Sequence, residues 1–144
     1  MSGTPAVVLD TNIVLDLFVF ADAAAQPLKA ALAQQSLHWL ATPAMREELA
    51  RVLAYPQISP RLAFYQLQAQ DVLDGFDRHA QLVDAPAKAP VTCSDPDDQK
   101  FIDLAVARQA LLLSKDRAVL SMNKRLAAWS VRAQAALPPS LPTP

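Results

Sequence analysis

Four carboxylates from distant parts of the chain have the residue types and positions that a metal-dependent active site needs. Asp10 directly follows the apolar run 7–9, and Asp116 follows the apolar run 111–113 after two polar residues. Asp98 and Glu48 stand near the starts of two predicted helices. In an open parallel sheet, functional groups collect beyond the carboxyl ends of the strands. If the strands are parallel, all four carboxylates reach one cleft.

Such a cluster favours a bound divalent cation. Carboxylates that share a cleft repel one another and have raised pKa values unless a cation neutralises them. Oxygen ligands favour Mg²⁺ or Mn²⁺, and the two histidines, His38 and His79, lack the spacing of a zinc site. A carboxylate-held Mg²⁺ or Mn²⁺ activates water and stabilises charge on phosphate oxygens. The predicted chemistry is therefore phosphodiester hydrolysis.

Other polar residues lie beside these acids in the sequence. Candidates for holding a polyanionic substrate are Lys100, Lys115 and Arg117. Asn12 and Ser114 are candidates for orienting a carboxylate or binding a water on the metal. Each of these positions also has a purely structural interpretation, because Asp, Asn and Ser are good helix caps and charged residues are usually solvated.

The elements that would position these residues alternate between strands and helices. Apolar runs predict strands at 6–9, 37–41 and 111–113, and weaker ones at 82–83 and 130–134. Pro follows a capping residue at three predicted helix starts, and one continuous helix is expected from Ser59 to His79. The alternation predicts an α/β fold, a three-layer α/β/α sandwich with a central parallel sheet of four to five strands. The runs 6–9 and 111–113 should form its centre.

The composition suits one globular domain. We expect a single domain over residues 1–136 and a Pro-rich tail over 137–144. The single cysteine, Cys93, cannot form an internal disulfide, and we expect a cytoplasmic protein without a signal peptide or membrane span. The net charge of −1 excludes a generally basic nucleic-acid coat. From residue 99 onward, however, seven Lys or Arg stand against two Asp.

Four segments of the chain resemble PIN-domain ribonucleases, and most closely the branch that contains toxin components of toxin–antitoxin modules. In order, they read VVLDTNIVLDLF, REELARVLAYP, SDPDDQKFIDLAVA and LLLSKD. Together they extend the resemblance from about residue 6 to 134. The resemblance implies Mg²⁺ or Mn²⁺, an RNA substrate, a homodimer and often an antitoxin that blocks the cleft.

The family's functional positions fall on residues already singled out above. The resemblance places the metal-binding acids at Asp10, Glu48, Asp98 and Asp116, with Asn12 and Ser114 beside them. One departure concerns the turn before the fourth strand, where family members usually have glycine and this chain has Arg108-Gln109-Ala110. The last strand is also poorly marked.

Two other functions compete with a metal-dependent toxin ribonuclease. One is a catalytically silent PIN-like module that binds RNA or a protein, which retention of all four acids disfavours. The other is a phosphatase that uses Asp10 as a covalent nucleophile. Such phosphatases need a second Asp two residues later, and this chain has Asn12 there.

Overall fold

A computed structural model describes residues 4–137 as a five-stranded parallel sheet with helices on both sides, which confirms the predicted sandwich. The strand order is β3-β2-β1-β4-β5. The strands are β1 (Ala6–Leu9), β2 (His38–Ala41), β3 (Ala80–Leu82), β4 (Leu111–Leu113) and β5 (Ala133–Gln134). The predicted strand at 82–83 thus begins two residues earlier, and only the end of 130–134 is strand.

The two most apolar strands pair at the middle of the sheet. Val8 and Leu112 are completely buried because helices cover both faces of the sheet. Leu9 lies opposite Leu113 in the parallel register, and the Asp10 N–H donates to the Leu113 carbonyl at 3.0 Å. The residues after Leu9 and Leu113 therefore leave the sheet side by side.

Within residues 4–137, eight α-helices connect and cover the strands. They are α1 (Thr11–Phe18), α2 (Gln26–Ala33), α3 (Pro43–Leu53), α4 (Ser59–Phe64), α5 (Ala69–His79), α6 (Gln99–Arg108), α7 (Arg117–Leu120) and α8 (Asn123–Ala127). Short 3-10 turns precede α2 and α6. Helices α1, α3 and α6 start at the carboxyl edge of the sheet, where the four acids were expected.

The predicted single helix from Ser59 to His79 is wrong, because the chain breaks it into α4 and α5. After α4, the Gln66 N–H donates to the Ala63 carbonyl and the Leu67 N–H donates to the Leu62 carbonyl. This pair of bonds is a Schellman motif, which ends a helix at a residue in the left-handed conformation, here Gln66 with φ 60°. Helix α5 then starts afresh, with its Asp71 carboxylate accepting from the Gln68 N–H.

Part of the predicted tail lies outside the described residues. Leu137 is buried, and residues 138–144 are beyond the part of the chain that the structure describes. None of the helices between residues 4 and 137 is long and apolar enough to cross a membrane.

Candidate metal centre

Three of the four predicted acids meet at the carboxyl edge of the sheet. Asp10, Asp98 and Asp116 each offer an oxygen that lies within 4.8 Å of the other two. Asp10 follows β1, Asp98 precedes α6, and Asp116 follows β4. Three side chains from remote parts of the sequence, positions 10, 98 and 116, therefore surround one position, as the parallel topology requires.

Ser114 joins two of these acids. Its hydroxyl is completely buried, donates to Asp10 Oδ2 at 2.6 Å and accepts from the Asp116 N–H at 3.0 Å. Its own N–H donates to the Gln134 carbonyl of β5. A change at Ser114 would therefore release both Asp10 and the loop that carries Asp116.

The electrostatics of the cluster favour protonated carboxyl groups. Burial raises the pKa of Asp10 above its ordinary value, against the hydrogen bonds that it accepts from Ser114 and the Asn12 N–H. Burial, a hydrogen bond with Asp116 and the nearby negative charges raise the pKa of Asp98 to about 8. The cluster therefore stores repulsion that a cation would relieve.

One oxygen atom of the cluster has no hydrogen-bond partner among the described residues. Asp98 is 7% exposed, and its Oδ2 is buried without a hydrogen-bond partner. Buried polar atoms are nearly always paired, so an unpaired oxygen on a carboxylate that lies beside two other carboxylates fits a cation site. The donor set consists of carboxylate oxygens, which suits Mg²⁺ or Mn²⁺.

The N-termini of three helices also stabilise negative charge at this position. Asp10 caps α1 by accepting from the Asn12 N–H at 3.3 Å, and Asp116 caps α7 by accepting from the Ala118 N–H at 2.9 Å. Asp98 occupies the N-cap position of α6 without a side-chain cap bond. The first turns of helices carry partial positive charge, which partly offsets the crowding of carboxylates.

Glu48 lies in the same cleft but outside the group of three. Its Oε1 is 2.5 Å from Lys100 Nζ, and its Oε2 accepts a short hydrogen bond from the Thr11 hydroxyl. Neighbouring Glu47 is exposed. Both oxygens of Glu48 are thus engaged by this chain's own residues.

The other predicted site residues do not all lie in the acidic cleft. Asn12 lines the acidic cleft, whereas the Lys115 ammonium is 2.5 Å from Asp16 Oδ2 and lines a different cavity. Arg117 is exposed in the first turn of α7 and is not among the residues that line the acidic cleft. Lys100 is therefore the predicted substrate-binding cation that the structure brings to the acids, while the roles given to Lys115 and Arg117 stay predictions.

Comparisons with known proteins identify the family. The PIN domain family matches residues 6–118, which contain all four acids. The chain belongs to the PIN domain family. The four segments that carry the resemblance in the sequence contain these acids, which lie on or beside β1, α3, α6 and β4.

The fold of this PIN domain also matches a solved structure. A chain in the crystal structure of VapBC2 from Rickettsia felis, bound to a DNA fragment from their promoter, superposes with a TM-score of 0.59. The match covers 89% of this chain and 98% of that chain at 14% identity, so it shows a shared fold. No curated protein matches the chain.

Helix α3 contributes cleft residues of this PIN domain that sequence reasoning missed. The cleft has a volume of about 430 Å³, and Arg51, Val52 and Tyr55 line it together with Glu48. Glu48, Arg51 and Val52 follow a spacing of three and four, which places them on one face of α3, and Tyr55 follows seven residues after Glu48 in the turn beyond the helix. That spacing, counted from Glu48, was the signal in the sequence that would have found them.

Proposed function

We propose that this PIN domain is a metal-dependent endoribonuclease that hydrolyses RNA phosphodiester bonds and acts as the toxin of a toxin–antitoxin module. The observation that carries the proposal is the buried, unpaired Oδ2 of Asp98 within a group of three carboxylates. Mg²⁺ or Mn²⁺ held by Asp10, Asp98 and Asp116 would supply an activated water and neutralise charge on the phosphate.

The chain's own residues would prepare the site for that chemistry. Ser114 fixes the Asp10 carboxylate from behind and ties it to the loop of Asp116. Such supporting hydrogen bonds orient metal ligands, and their loss typically weakens metal binding about 10- to 100-fold. Asn12 lines the cleft and can bind a water on the metal.

The substrate path would run along α3 and the turn that follows it. Arg51 is exposed at the cleft and offers a guanidinium to a phosphate, and Tyr55, which is 43% exposed, offers a ring on which a base can stack. Stacking and phosphate contacts are the usual means of binding single-stranded RNA without sequence preference. Lys100, which is held in the cleft, supplies a further positive charge.

The proposal extends to partners and location. The resemblance to the toxin branch, together with the fold shared with a chain of the VapBC2 complex, supports an antitoxin protein that covers the cleft. The homodimer also follows from the resemblance. A cytoplasmic location agrees with a single, buried thiol at Cys93 and with the whereabouts of RNA.

Cleavage of labelled RNA by the purified protein tests the proposal. We expect cleavage with Mn²⁺ or Mg²⁺, none with a chelator, and a loss of at least about 100-fold in Asp10→Asn and Asp98→Asn, because each removes a negatively charged metal ligand. Asp84→Asn is the matched control, since Asp84 is exposed and lies outside the acidic cleft. Equal cleavage by all variants would indicate a contaminating nuclease and contradict the proposal.

The same preparation separates the two competing functions. Metal binding that depends on Asp10, without any RNA cleavage, would indicate the catalytically silent module. Release of phosphate from a small phosphomonoester, with a phosphoryl group trapped on Asp10, would indicate the phosphatase. Either result would replace the ribonuclease as the function of the acidic cleft.

A further inference from the structure

The Lys100 side chain fills a position that is built like a cation site. Its ammonium is 2.5 Å from Glu48 Oε1, donates to the Asp97 carbonyl at 2.5 Å and lies 5.0 Å from the centre of the Phe101 ring. A carboxylate, a carbonyl oxygen and an aromatic face all attract positive charge. The side chain is 25% exposed, so it is held within the wall of the cleft.

Unlike the other three acids, Glu48 already has a cation of this chain as its partner. Lys100 neutralises Oε1, and the Thr11 hydroxyl donates to Oε2. Thr11 itself is buried, so its hydroxyl has a fixed position beside the first acid. By contrast, the three other acids repel one another and include the unpaired Oδ2 of Asp98. The cleft therefore contains one neutralised ion pair, Glu48 with Lys100, and a separate triad of acids, Asp10, Asp98 and Asp116, that repel one another.

We propose that the cleft binds one divalent ion per chain, at Asp10, Asp98 and Asp116, and that the Lys100 ammonium takes the place of a second ion beside Glu48. The inference rests on the metal site of the proposed function and specifies its stoichiometry. In two-metal sites, the ions lie about 3.5–4 Å apart and clamp both sides of the reacting phosphate. A lysine at the second position still offers a point charge to a phosphate oxygen. A lysine would not lower the pKa of a water as a metal does, so activation of the water would be left to the single ion.

Mn²⁺ titration by isothermal calorimetry tests this inference without measuring activity. The wild-type protein should bind one Mn²⁺ per chain. Lys100→Met keeps an unbranched side chain, shorter by one heavy atom, but removes its charge. Glu48 then becomes available, and the stoichiometry should rise to two. Lys115→Met, which removes the same charge from the ion pair with Asp16, should still bind one ion.

Two further variants keep the test decisive if Lys100→Met does not fold, as judged by circular dichroism. Glu48→Gln should bind one Mn²⁺ with an affinity within about threefold of the wild type, because Glu48 is not a ligand of that ion. A loss of more than about tenfold would make Glu48 a ligand and overturn the inference. The double variant Lys100→Met with Glu48→Gln should return to one ion.

The outcomes distinguish this inference from the proposed function on which it rests. Two ions in the wild type, or one ion in a folded Lys100→Met variant, would overturn the lysine substitution and leave the metal-dependent nuclease standing. No binding of Mn²⁺ that depends on Asp10 would overturn both, because the triad would then hold no ion.

Discussion

The two carboxylate oxygens of Asp10 have different partners. One accepts from the Asn12 N–H and caps α1, and the other accepts from the Ser114 hydroxyl. The same carboxylate belongs to the group of three acids. Asp116 likewise caps α7 while it faces Asp98. Capping and a role in the metal centre are therefore compatible at the same residue. A sequence pattern typical of helix caps does not argue against an active site.

The raised pKa of Asp98 predicts how the stability of the metal-free protein depends on pH. The native state keeps a proton on Asp98 up to about pH 8, whereas the unfolded chain loses it near pH 4. The native state thus binds more protons within this interval, so the free energy of unfolding should fall as the pH rises from about 4 to 8. The Asp98→Asn variant has a neutral side chain at this position, so its free energy of unfolding should not fall in this way.

We expect Asp98→Asn to be more stable than the wild type at pH 8.5 in a chelating buffer, by at least about 1.4 kcal/mol, or one pKa unit. At pH 5 the two proteins should differ little, because Asp98 is then protonated in the native wild type. Urea unfolding at both pH values measures this difference, with Asp84→Asn as the control for a lost exposed charge. A wild type more stable than Asp98→Asn at pH 8.5 would refute the proposed repulsion.

Helix α3 links the acidic cleft to the predicted path of the RNA. Arg46 and Arg51 lie on the same helix but have different surroundings. The Arg46 guanidinium makes two bonds to Asp77 of α5, at 2.7 and 2.8 Å, whereas Arg51 is exposed and lines the cleft. Of these two arginines, Arg51 is therefore the one that is available to bind a phosphate.

RNA binding distinguishes these two arginines. In an Asp10→Asn background, which prevents cleavage, Arg51→Ala should weaken binding of single-stranded RNA about 3- to 10-fold. It should also reduce the slope of log affinity against log salt by about 0.7, the value for one lost phosphate contact. Arg46→Ala should leave that slope unchanged. Fluorescence anisotropy at several salt concentrations measures both quantities, and equal slopes for the two variants would remove Arg51 from the substrate path.

The sequence predicted strands better than helix ends, because the chain contains few glycines to mark where helices end. The central strands are apolar runs that both sheet faces bury, so composition alone located Ala6–Leu9 and Leu111–Leu113. Glycine is the residue that most often ends a helix, but the chain has two glycines. Gln35, Gln66 and Gln109 instead adopt the left-handed conformation after α2, α4 and α6.

Gln109 also accounts for the departure from the family pattern before the fourth strand. Its φ of 50° is a conformation that glycine adopts without strain, and the N–H groups of Gln109 and Ala110 bond back to the end of α6. This turn therefore contains a left-handed residue that is not glycine. A sequence rule based on glycine could not predict this, because the residue type does not reveal the backbone conformation here.

At the scale of the whole molecule, the parallel topology accounts for most of the predictable part of the site. Strands β1 and β4 are neighbours, so Asp10 and Asp116 had to emerge together, and α6 had to bring Asp98 to the same edge. Contacts between side chains were beyond prediction, since the partners of Lys100 and Lys115 depend on which rotamers the packed helices allow. The sequence therefore located the acids but did not divide the cations between two sites.

Thermal unfolding with and without Mn²⁺ tests the central claim, that three remote carboxylates form one cation site, most directly. An ion that binds only the native state stabilises it by about 2.7 kcal/mol at 100 times its Kd. The Tm of the wild type should therefore rise with Mn²⁺ concentration, while those of Asp10→Asn, Asp98→Asn and Asp116→Asn should rise much less. An unchanged Tm in the wild type, or equal increases in all four proteins, would contradict the claim.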